Sequence, residues 1–228
     1  YRMLKHIGFI MDGNRRWAKK LSNVVSFGHA SWGDNIENIL TLCLDAQMEY
    51  VSMWALSKEN ILERSEVEIA GIFQLFRDKI PKLVTKLLQH SRPLDIIGHL
   101  WLVPPDIRSL LLDAIDQAKN WEKMTAIFAI AYSWQDEIVR GIRRAMAEWI
   151  DPISLDEKTF LTYLDSGKYP SPDLIVRTGW SIRHSWFYLY HSAYSEYFFS
   201  DTLWPDFWKV DFDKAIKSYN STNRNFWK

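Results

Sequence analysis

An acidic residue and a glycine stand where an apolar segment of the sequence gives way to a basic one. Asp12 and Gly13 follow the apolar run His6–Met11 and precede Arg15 and Arg16. Gly13 permits backbone angles that let amide groups approach an anion, and a helix starting beyond it would add unpaired N–H donors and a partial positive charge. Because Asp12 would repel a bare phosphate, its presence here predicts a bridging cation, for which Mg²⁺ is suited.

The same turn has a simpler interpretation. Asp12 and Asn14 could only cap the following helix while Arg15 and Arg16 point into solvent, and such caps are common. This segment on its own does not decide between a metal-bound diphosphate and a cap. If the turn is a binding site, other segments must bring matching groups to the same place.

Two later segments carry groups that suit phosphate. Ser57–Asn60, with Arg64 nearby, follows one predicted strand, and Arg177, Arg183 and Ser185 follow another. Taken alone, the first segment is more simply a loop that caps the next helix. The arginines of the second could form structural salt bridges, but guanidinium groups match phosphate oxygens and the strand before Arg177 is too apolar for a surface element. The second segment therefore favours a diphosphate site.

Composition excludes several classes of protein. The chain has 28 Lys plus Arg and 28 Asp plus Glu, so net charge gives no argument for a nucleic-acid partner. The single cysteine, Cys43, excludes an internal disulfide and a cysteine-rich zinc site. No segment approaches the roughly 18 apolar residues of a membrane span, and the first residues lack the apolar core of a signal peptide. We therefore expect a cytoplasmic protein. The 12 Trp, 12 Phe and 10 Tyr could form a core, an interface or a pocket.

Short apolar segments alternate with longer amphipathic ones, which predicts one α/β domain over residues 1–228 with a mostly parallel sheet flanked by helices. The predicted strands are His6–Met11, Tyr50–Leu56, Leu94–Gly98, Thr125–Ala131 and Leu174–Arg177. The predicted helices are His29–Ala46, Val67–His90, Asp106–Asn120 and Asp136–Ile150. Ser154 and Glu157 have the spacing of a capping box, which predicts a further helix over Leu155–Leu164. Ligands of such sheets gather at the carboxyl ends of the strands, where all three polar segments lie.

Seven motifs together resemble one enzyme family. They are Met11–Ala18, Phe27–His29, Leu56–Asn60, Arg177–Gly179, Arg183 with Ser185, Ala193–Glu196 and Leu203–Phe207. They occur in the order seen in cis-prenyltransferases, the family of undecaprenyl and dehydrodolichyl diphosphate synthases, and they extend over nearly the whole chain. The aspartate-rich signature of trans-prenyltransferases is absent.

The resemblance implies condensation of an allylic diphosphate with isopentenyl diphosphate, with formation of a Z double bond, release of diphosphate and Mg²⁺ as cofactor. It implies that Asp12 binds the metal and assists ionisation, and that Glu196 completes the metal site. The residues that would cradle the allylic diphosphate are Gly13, Asn14, Arg15, Arg16 and Trp17. Those that would support ionisation and proton transfer are His29, Ser57, Asn60 and Arg64, the last also binding substrate. Those that would hold isopentenyl diphosphate are Arg177, Arg183 and Ser185.

The resemblance also implies a homodimer, although a heterodimer is possible for this family, and the aromatic segment Trp186–Phe199 could contribute to its interface. Peripheral membrane contact would follow from an apolar product. Without the resemblance, Glu196 could equally be a partner for an arginine.

Several positions depart from the family's pattern and carry large or apolar residues instead. They are Val25, Ala131–Gln135, Trp180, Trp186 and the C-terminal Arg224–Trp227. These departures suggest altered substrate pairing, in which two allylic diphosphates are joined into a branched or cyclic product. The same scaffold could also serve as a terpene cyclase acting on one prenyl diphosphate, or as a non-catalytic partner subunit. Retention of Asp12 and Arg177 argues against the non-catalytic subunit.

Overall fold

Strands and helices alternate along the chain. The computed structural model describes residues 3–21, 25–89, 93–118 and 124–222, without the side chains of 21, 25–32 and 34. The strands are β1 (His6–Ile10), β2 (Tyr50–Ser57), β3 (Leu94–Ile97), β4 (Thr125–Tyr132), β5 (Leu174–Arg177) and β6 (Glu196–Phe199). The helices are α1 (Asn14–Leu21), α2 (Val25–Asp45), α3 (Lys58–Glu63), α4 (Glu66–Gln89), α5 (Pro105–Ala118), α6 (Trp134–Ala147), α7 (Glu157–Leu161) and α8 (Lys209–Ser221).

One six-stranded sheet, in the order β3-β4-β2-β1-β5-β6, organises the fold, and every pair of neighbouring strands is parallel. This confirms the predicted fold class. In the register of the sheet, Ile10 lies opposite both Trp54 and Arg177. The ends of β1, β2 and β5 therefore meet at one edge. The sheet brings the three polar segments together there, as expected for parallel strands.

Both faces of the sheet are covered, which explains why the strands are continuous apolar runs. On one side α2 and α4 pack buried side chains such as Ile39, Leu40 and Phe76 against the sheet. On the other side a smaller cluster forms around Tyr132, Phe187 and Tyr188. Burying each such side chain contributes about 1.5–3 kcal/mol. Phe187 and Tyr188 belong to the segment that the sequence suggested as an interface, but both rings are buried within the chain itself.

The capping box predicted at Ser154 is wrong. The Ser154 hydroxyl donates to the Asp151 carbonyl (2.8 Å) within a preceding turn, and the helix begins only at Glu157, so Ser154 does not cap it. The side chain of Asp156 takes that role, because its Oδ1 accepts from the N–H of Thr159 (2.7 Å). The helix is consequently shorter than predicted and covers only Glu157–Leu161.

Three elements differ from the pattern read in the sequence. The short helix α3 lies where the sequence indicates a loop, β6 lies within the aromatic segment suggested as an interface, and α8 is not predicted. For α8 a signal was available, because the buried Phe212, Ala215 and Tyr219 have the three- and four-residue spacing of one helix face. Two predicted helix ends, at His90 and Asn120, lie outside the described residues. No helix in the described ranges is both long and apolar enough to cross a membrane.

A buried asparagine fixes the segment that supports the Asp12 turn. Asn35 of α2 is 2% exposed, and its Nδ2 donates to the carbonyls of Trp204 (2.6 Å) and Phe207 (3.1 Å). The N–H of Trp204 donates in turn to the carbonyl of Asp12 (3.0 Å). The position of Asp12 therefore depends on a hydrogen-bonded connection that begins in α2.

Asn35→Ala should lower the free energy of unfolding by about 1–3 kcal/mol, because the Phe207 carbonyl loses this donor and the Trp204 carbonyl keeps only the N–H of Phe207. Urea denaturation followed by circular dichroism measures this change. Thr41→Ala on the same helix is the control, since it removes only an exposed side-chain bond to the Glu37 carbonyl and should change stability by less than about 0.5 kcal/mol. Equal effects of the two substitutions would contradict the anchoring role of Asn35.

Candidate diphosphate-binding site

The turn between β1 and α1 is tight. Gly13 has a φ of 107°, which strongly favours glycine, and a Cβ at this position would lie 2.7 Å from Cδ2 of Leu203. Helix α1 starts immediately afterwards, and the N–H of Trp17 donates to the Gly13 carbonyl (2.9 Å). The turn therefore points the start of α1 at the space beyond the strand ends.

The carboxylate of Asp12 is held from both sides. Its Oδ1 accepts from the Gly13 N–H (2.6 Å) and from Nη2 of Arg16 (3.1 Å). Its Oδ2 accepts from Nη2 of Arg177 (3.0 Å). The side chain of Asp12 remains about one-third exposed. Asp12 thus makes a bond within the turn, as the simpler interpretation supposed, and also pairs with two arginines.

Arg177 joins the Asp12 turn to the second polar segment. Its side chain is 6% exposed, and its Nη1 donates to the Arg183 carbonyl (2.6 Å) and to Oγ of Ser185 (2.7 Å). Burial lowers the pKa of Arg177, and the Asp12 carboxylate opposes that change. One guanidinium group therefore sets the distance between the two segments.

In the segment Ser57–Asn60, the hydrogen bonds at the ends of α3 arrange the donor groups. Oγ of Ser57 accepts from the N–H of Asn60 (2.9 Å) as the cap of this helix, which leaves the Ser57 hydroxyl proton free to point elsewhere. Oδ1 of Asn60 accepts from Nη2 of Arg64 (3.0 Å), so the amide NH₂ of Asn60 remains a donor. Burial lowers the pKa of Arg64, and the nearby Arg15 lowers it further.

These groups line one cavity of about 410 Å³ at the carboxyl ends of the strands. The predicted site residues that line it are Asp12, Gly13, Asn14, Arg15, Arg16, Ser57, Asn60, Arg64, Arg177, Arg183 and Ser185. The lining contains five arginines against three carboxylates, the other two being Glu59 and Glu63. An excess of positive charge in a concave site attracts anions.

The donor set suits a magnesium ion that is shared with a phosphate ligand. Asp12 supplies one hard carboxylate, and Oδ1 of the adjacent Asn14 is buried without a partner. Mg²⁺ is usually bound through one or two carboxylates together with substrate phosphates and water. Over the described ranges, no group of three His, Cys, Asp or Glu side chains could hold a metal without such a ligand.

Two predicted site residues are not in the cavity. Glu196 lies opposite Leu174, which lies opposite Ile7, so Glu196 is at the amino ends of the strands. At about 3.3 Å per residue along five residues and about 4.8 Å for each of two strand spacings, Glu196 is on the order of 20 Å from Asp12, too far for one metal ion within a single chain. Nε1 of Trp17 donates to Oδ1 of Asp206 (2.7 Å), so this indole anchors α1 and does not line the cavity.

Other predictions cannot be placed. The side chains of His29 and Val25 and the C-terminal Arg224–Trp227 lie outside the described residues. Among the other departures, Trp186 lines the cavity and its carbonyl accepts from the N–H of Trp134 (3.0 Å), while Trp180 lies on the loop after β5.

The sequence did not locate a second, apolar cavity. It has a volume of about 370 Å³ and lies between α2, α4 and the sheet, with walls that include Ile36, Ile80 and Phe128. Ala55 and Phe76 line both this cavity and the polar one, so the two adjoin. Sequence patterns give no signal for such a space, because the same side chains also have the periodicity of an ordinary core.

The sequence is similar to that of a family described as "Putative undecaprenyl diphosphate synthase", whose model matches residues 10–227. It is 36% identical over 227 residues to the tritrans,polycis-undecaprenyl-diphosphate synthase (GGDP specific) of Sulfolobus acidocaldarius, covering 97% of this chain and 87% of that protein. It is 32% identical over 228 residues to an isoprenyl transferase of Chlorobaculum tepidum, covering 98% and 86%. The crystal structure of lavandulyl diphosphate synthase from Lavandula x intermedia, in complex with dimethylallyl diphosphate, superposes with a TM-score of 0.92, at 28% identity and 98% coverage of each chain.

Arg177→Lys should weaken the binding of inorganic diphosphate by roughly 10- to 100-fold. A lysine retains the positive charge but cannot donate to Asp12 and to Ser185 at once. Isothermal titration calorimetry in the presence of Mg²⁺ measures the affinity. Arg108→Lys, at a position outside the cavity, is the matched control and should bind as the wild type does. Wild-type affinity in Arg177→Lys would contradict the bridging role.

Proposed function

Since the chain belongs to the undecaprenyl diphosphate synthase family and is an enzyme that transfers prenyl groups, we propose that the polar cavity holds its two diphosphate substrates side by side. The reaction of this family member condenses an allylic prenyl diphosphate with isopentenyl diphosphate and releases diphosphate. The single observation that carries the assignment of the cavity is the position of Arg177 between Asp12 and Ser185. One guanidinium group can thereby keep the two diphosphate positions a fixed distance apart.

The allylic diphosphate lies at the turn before α1. There it meets the N–H groups of the first helical turn together with Arg15 and Arg16, and a helix start favours an anion. Asp12, with the Oδ1 of Asn14 beside it, would hold Mg²⁺ against the same diphosphate. Held there, Mg²⁺ would supply positive charge that stabilises a diphosphate leaving group.

Hydroxyl and amide donors assist the same step. The bond from Arg64 orients the NH₂ of Asn60, and Ser57 keeps a free hydroxyl proton, so both groups can donate to the diphosphate oxygens. Arg64 holds the Asn60 amide in that orientation. Donors fixed before the reaction are more effective than mobile water, because no reorganisation accompanies the developing charge.

Isopentenyl diphosphate lies at the segment after β5. Arg177 is fixed by burial, and Arg183 and Ser185 complete the set that receives this second diphosphate. Its alkene would then face the allylic carbon in the space between the two subsites. Holding both reactants in place converts a bimolecular collision into a reaction within one complex.

The apolar cavity would take the growing prenyl chain. It adjoins the diphosphate cavity at Ala55 and Phe76, so a chain attached to the allylic diphosphate can enter it without crossing solvent. Transfer of each methylene group from water to such a space contributes about 0.8 kcal/mol. An apolar product of this kind is consistent with a cytoplasmic enzyme that contacts the membrane peripherally. The whole of residues 1–228 acts as one domain in this proposal.

A homodimer is part of the proposal. Helix α6 carries Val139, Ile142 and Met146 at the spacing of one helix face, and these side chains are 45%, 45% and 69% exposed. An exposed apolar stripe of this kind suits a symmetric contact with a second copy of the chain. This helix is proposed as the main contact, and the exposed Trp186, Tyr190 and Tyr194 of the segment Trp186–Phe199 could contribute at its margin, whereas Phe187 and Tyr188 lie in the core.

The first test concerns the metal-binding carboxylate. Asp12→Asn should lower kcat by roughly 10³-fold, because the neutral amide retains the turn but binds Mg²⁺ much more weakly than the carboxylate does. The assay follows radiolabelled isopentenyl diphosphate into extractable product, with thermal unfolding as the check on folding. Asp213→Asn, on the exposed face of α8, should have wild-type activity. Wild-type turnover by Asp12→Asn would refute the metal role.

The second test concerns the dimer. Ile142→Glu combined with Met146→Glu should convert the dimer to a monomer, because two charges would be buried at a symmetric contact. Size-exclusion chromatography with light scattering gives the molecular mass. Val210→Glu on α8 changes an equally exposed apolar residue and should leave the mass unchanged. A wild type that elutes as a monomer would exclude the proposed interface.

The coupling of two allylic diphosphates is the second candidate, favoured by the similarity to a lavandulyl diphosphate synthase whose crystal structure contains dimethylallyl diphosphate, itself an allylic diphosphate. Incubation with dimethylallyl diphosphate alone distinguishes the two candidates by mass spectrometry. The principal proposal predicts no coupled product without isopentenyl diphosphate.

A further inference from the structure

Trp180 has a backbone conformation that is unfavourable for its own side chain. Its φ is 66°, in the left-handed region where a bulky residue costs on the order of 1–3 kcal/mol. The neighbouring segment of the same chain imposes this conformation, since the N–H groups of Gly179 and Trp180 donate to the carbonyls of Thr202 (2.9 Å) and Ser200 (3.1 Å), respectively. The indole does not recover this cost by burial, because the residue is 56% exposed. A strained, exposed tryptophan beside a site calls for a role other than packing.

The indole ring faces two cations of α1. The Cζ atom of Arg16 and the Nζ atom of Lys20 each lie 5.7 Å from the ring centroid. Arg16 and Lys20 are four residues apart on one helix, where like charges repel each other. The negative face of an aromatic ring attracts a cation within about 6 Å. Trp180 therefore offsets the repulsion between the two side chains.

Arg16 is the member of this group that belongs to the site. Its Nη2 donates to Oδ1 of Asp12, and it lines the diphosphate cavity. The loop that carries Trp180 also packs against Arg16, because a Cβ on Gly179 would lie 2.8 Å from Nη2 of Arg16. The orientation of Arg16 thus depends on Asp12 on one side and on the 179–180 loop on the other.

We propose that Trp180 is a positioning residue that holds Arg16, with Lys20 beside it, at the allylic diphosphate position. It thereby raises the affinity for the allylic substrate and leaves the affinity for isopentenyl diphosphate unchanged. The assignment to the allylic substrate rests on the proposed function. The effect on diphosphate binding does not, since it follows from the positions of the ring and the two cations.

Calorimetric titration of inorganic diphosphate with Mg²⁺ provides the main test. Trp180→Gly and Trp180→Leu should each weaken binding by roughly three- to tenfold, because both remove the ring face. Trp180→Phe should restore most of the affinity. Trp180→Gly should unfold at the wild-type temperature or above it, since glycine relieves the strain at φ 66°. A merely structural tryptophan would give a lower unfolding temperature with unchanged binding, which would overturn the proposal.

A double-mutant cycle locates the effect at Arg16. In the Arg16→Gln background, Trp180→Leu should cause little further loss of diphosphate affinity, because the side chain that the ring positions is gone. Full additivity of the two losses would overturn the proposal. The control is Trp101→Leu, which removes a ring that lies 4.1 Å from the Cζ of Arg108 and outside the cavity, and which should bind diphosphate as the wild type does.

Steady-state kinetics separate this inference from the proposed function. Trp180→Leu should raise KM for the allylic diphosphate by the same three- to tenfold, with little change in KM for isopentenyl diphosphate or in kcat. An equal rise in both KM values would contradict the assignment to the allylic position. If the wild type transfers no prenyl group, the proposed function fails, whereas the calorimetric results still decide whether Trp180 positions Arg16.

Discussion

The bond between Asp12 and Arg177 is the interaction on which the site depends. It joins residues that are 165 positions apart in the sequence and lie at the ends of neighbouring strands. Arg177 is almost fully buried and would carry an uncompensated charge without a carboxylate beside it. Asp12 would in turn repel phosphate without the cations around it. The charge of each residue compensates the charge of the other, and the pair brings two anion-binding segments into one cavity.

Parallel strands make this arrangement possible. Every strand of the sheet ends at the same edge, so polar groups that follow β1, β2 and β5 converge without long loops. The helix that follows β1 adds its N–H groups, and α3 orients Ser57 and Asn60. The apolar cavity adjoins the diphosphate cavity near this edge, since Ala55 and Phe76 line both. A charged group and an attached apolar chain can therefore be bound at once, each in a space of matching polarity.

Much of this could be predicted from the sequence, because local patterns determine it. Apolar runs ending at Asp12, Ser57 and Arg177 indicate parallel strands and their common edge. The bond of Arg177 to Asp12 and the apolar cavity beside α4 could not be predicted, since they depend on packing between distant segments. The position of Glu196 at the amino ends of the strands could not be predicted either, because a motif gives order along the chain but not which end of a strand its residue occupies. The strain at Trp180 is also invisible in a sequence, because φ is set by bonds to Ser200 and Thr202.

A crystal structure with Mn²⁺ in place of Mg²⁺, isopentenyl diphosphate and an unreactive analogue of an allylic diphosphate tests the central claim most directly. Anomalous scattering from Mn²⁺ locates the metal ion independently of the ligand density. The account predicts one metal ion between Asp12 and the diphosphate at the start of α1, with the second diphosphate on Arg177, Arg183 and Ser185. A metal ion bound away from Asp12, or two diphosphates on the same side of Arg177, would contradict it.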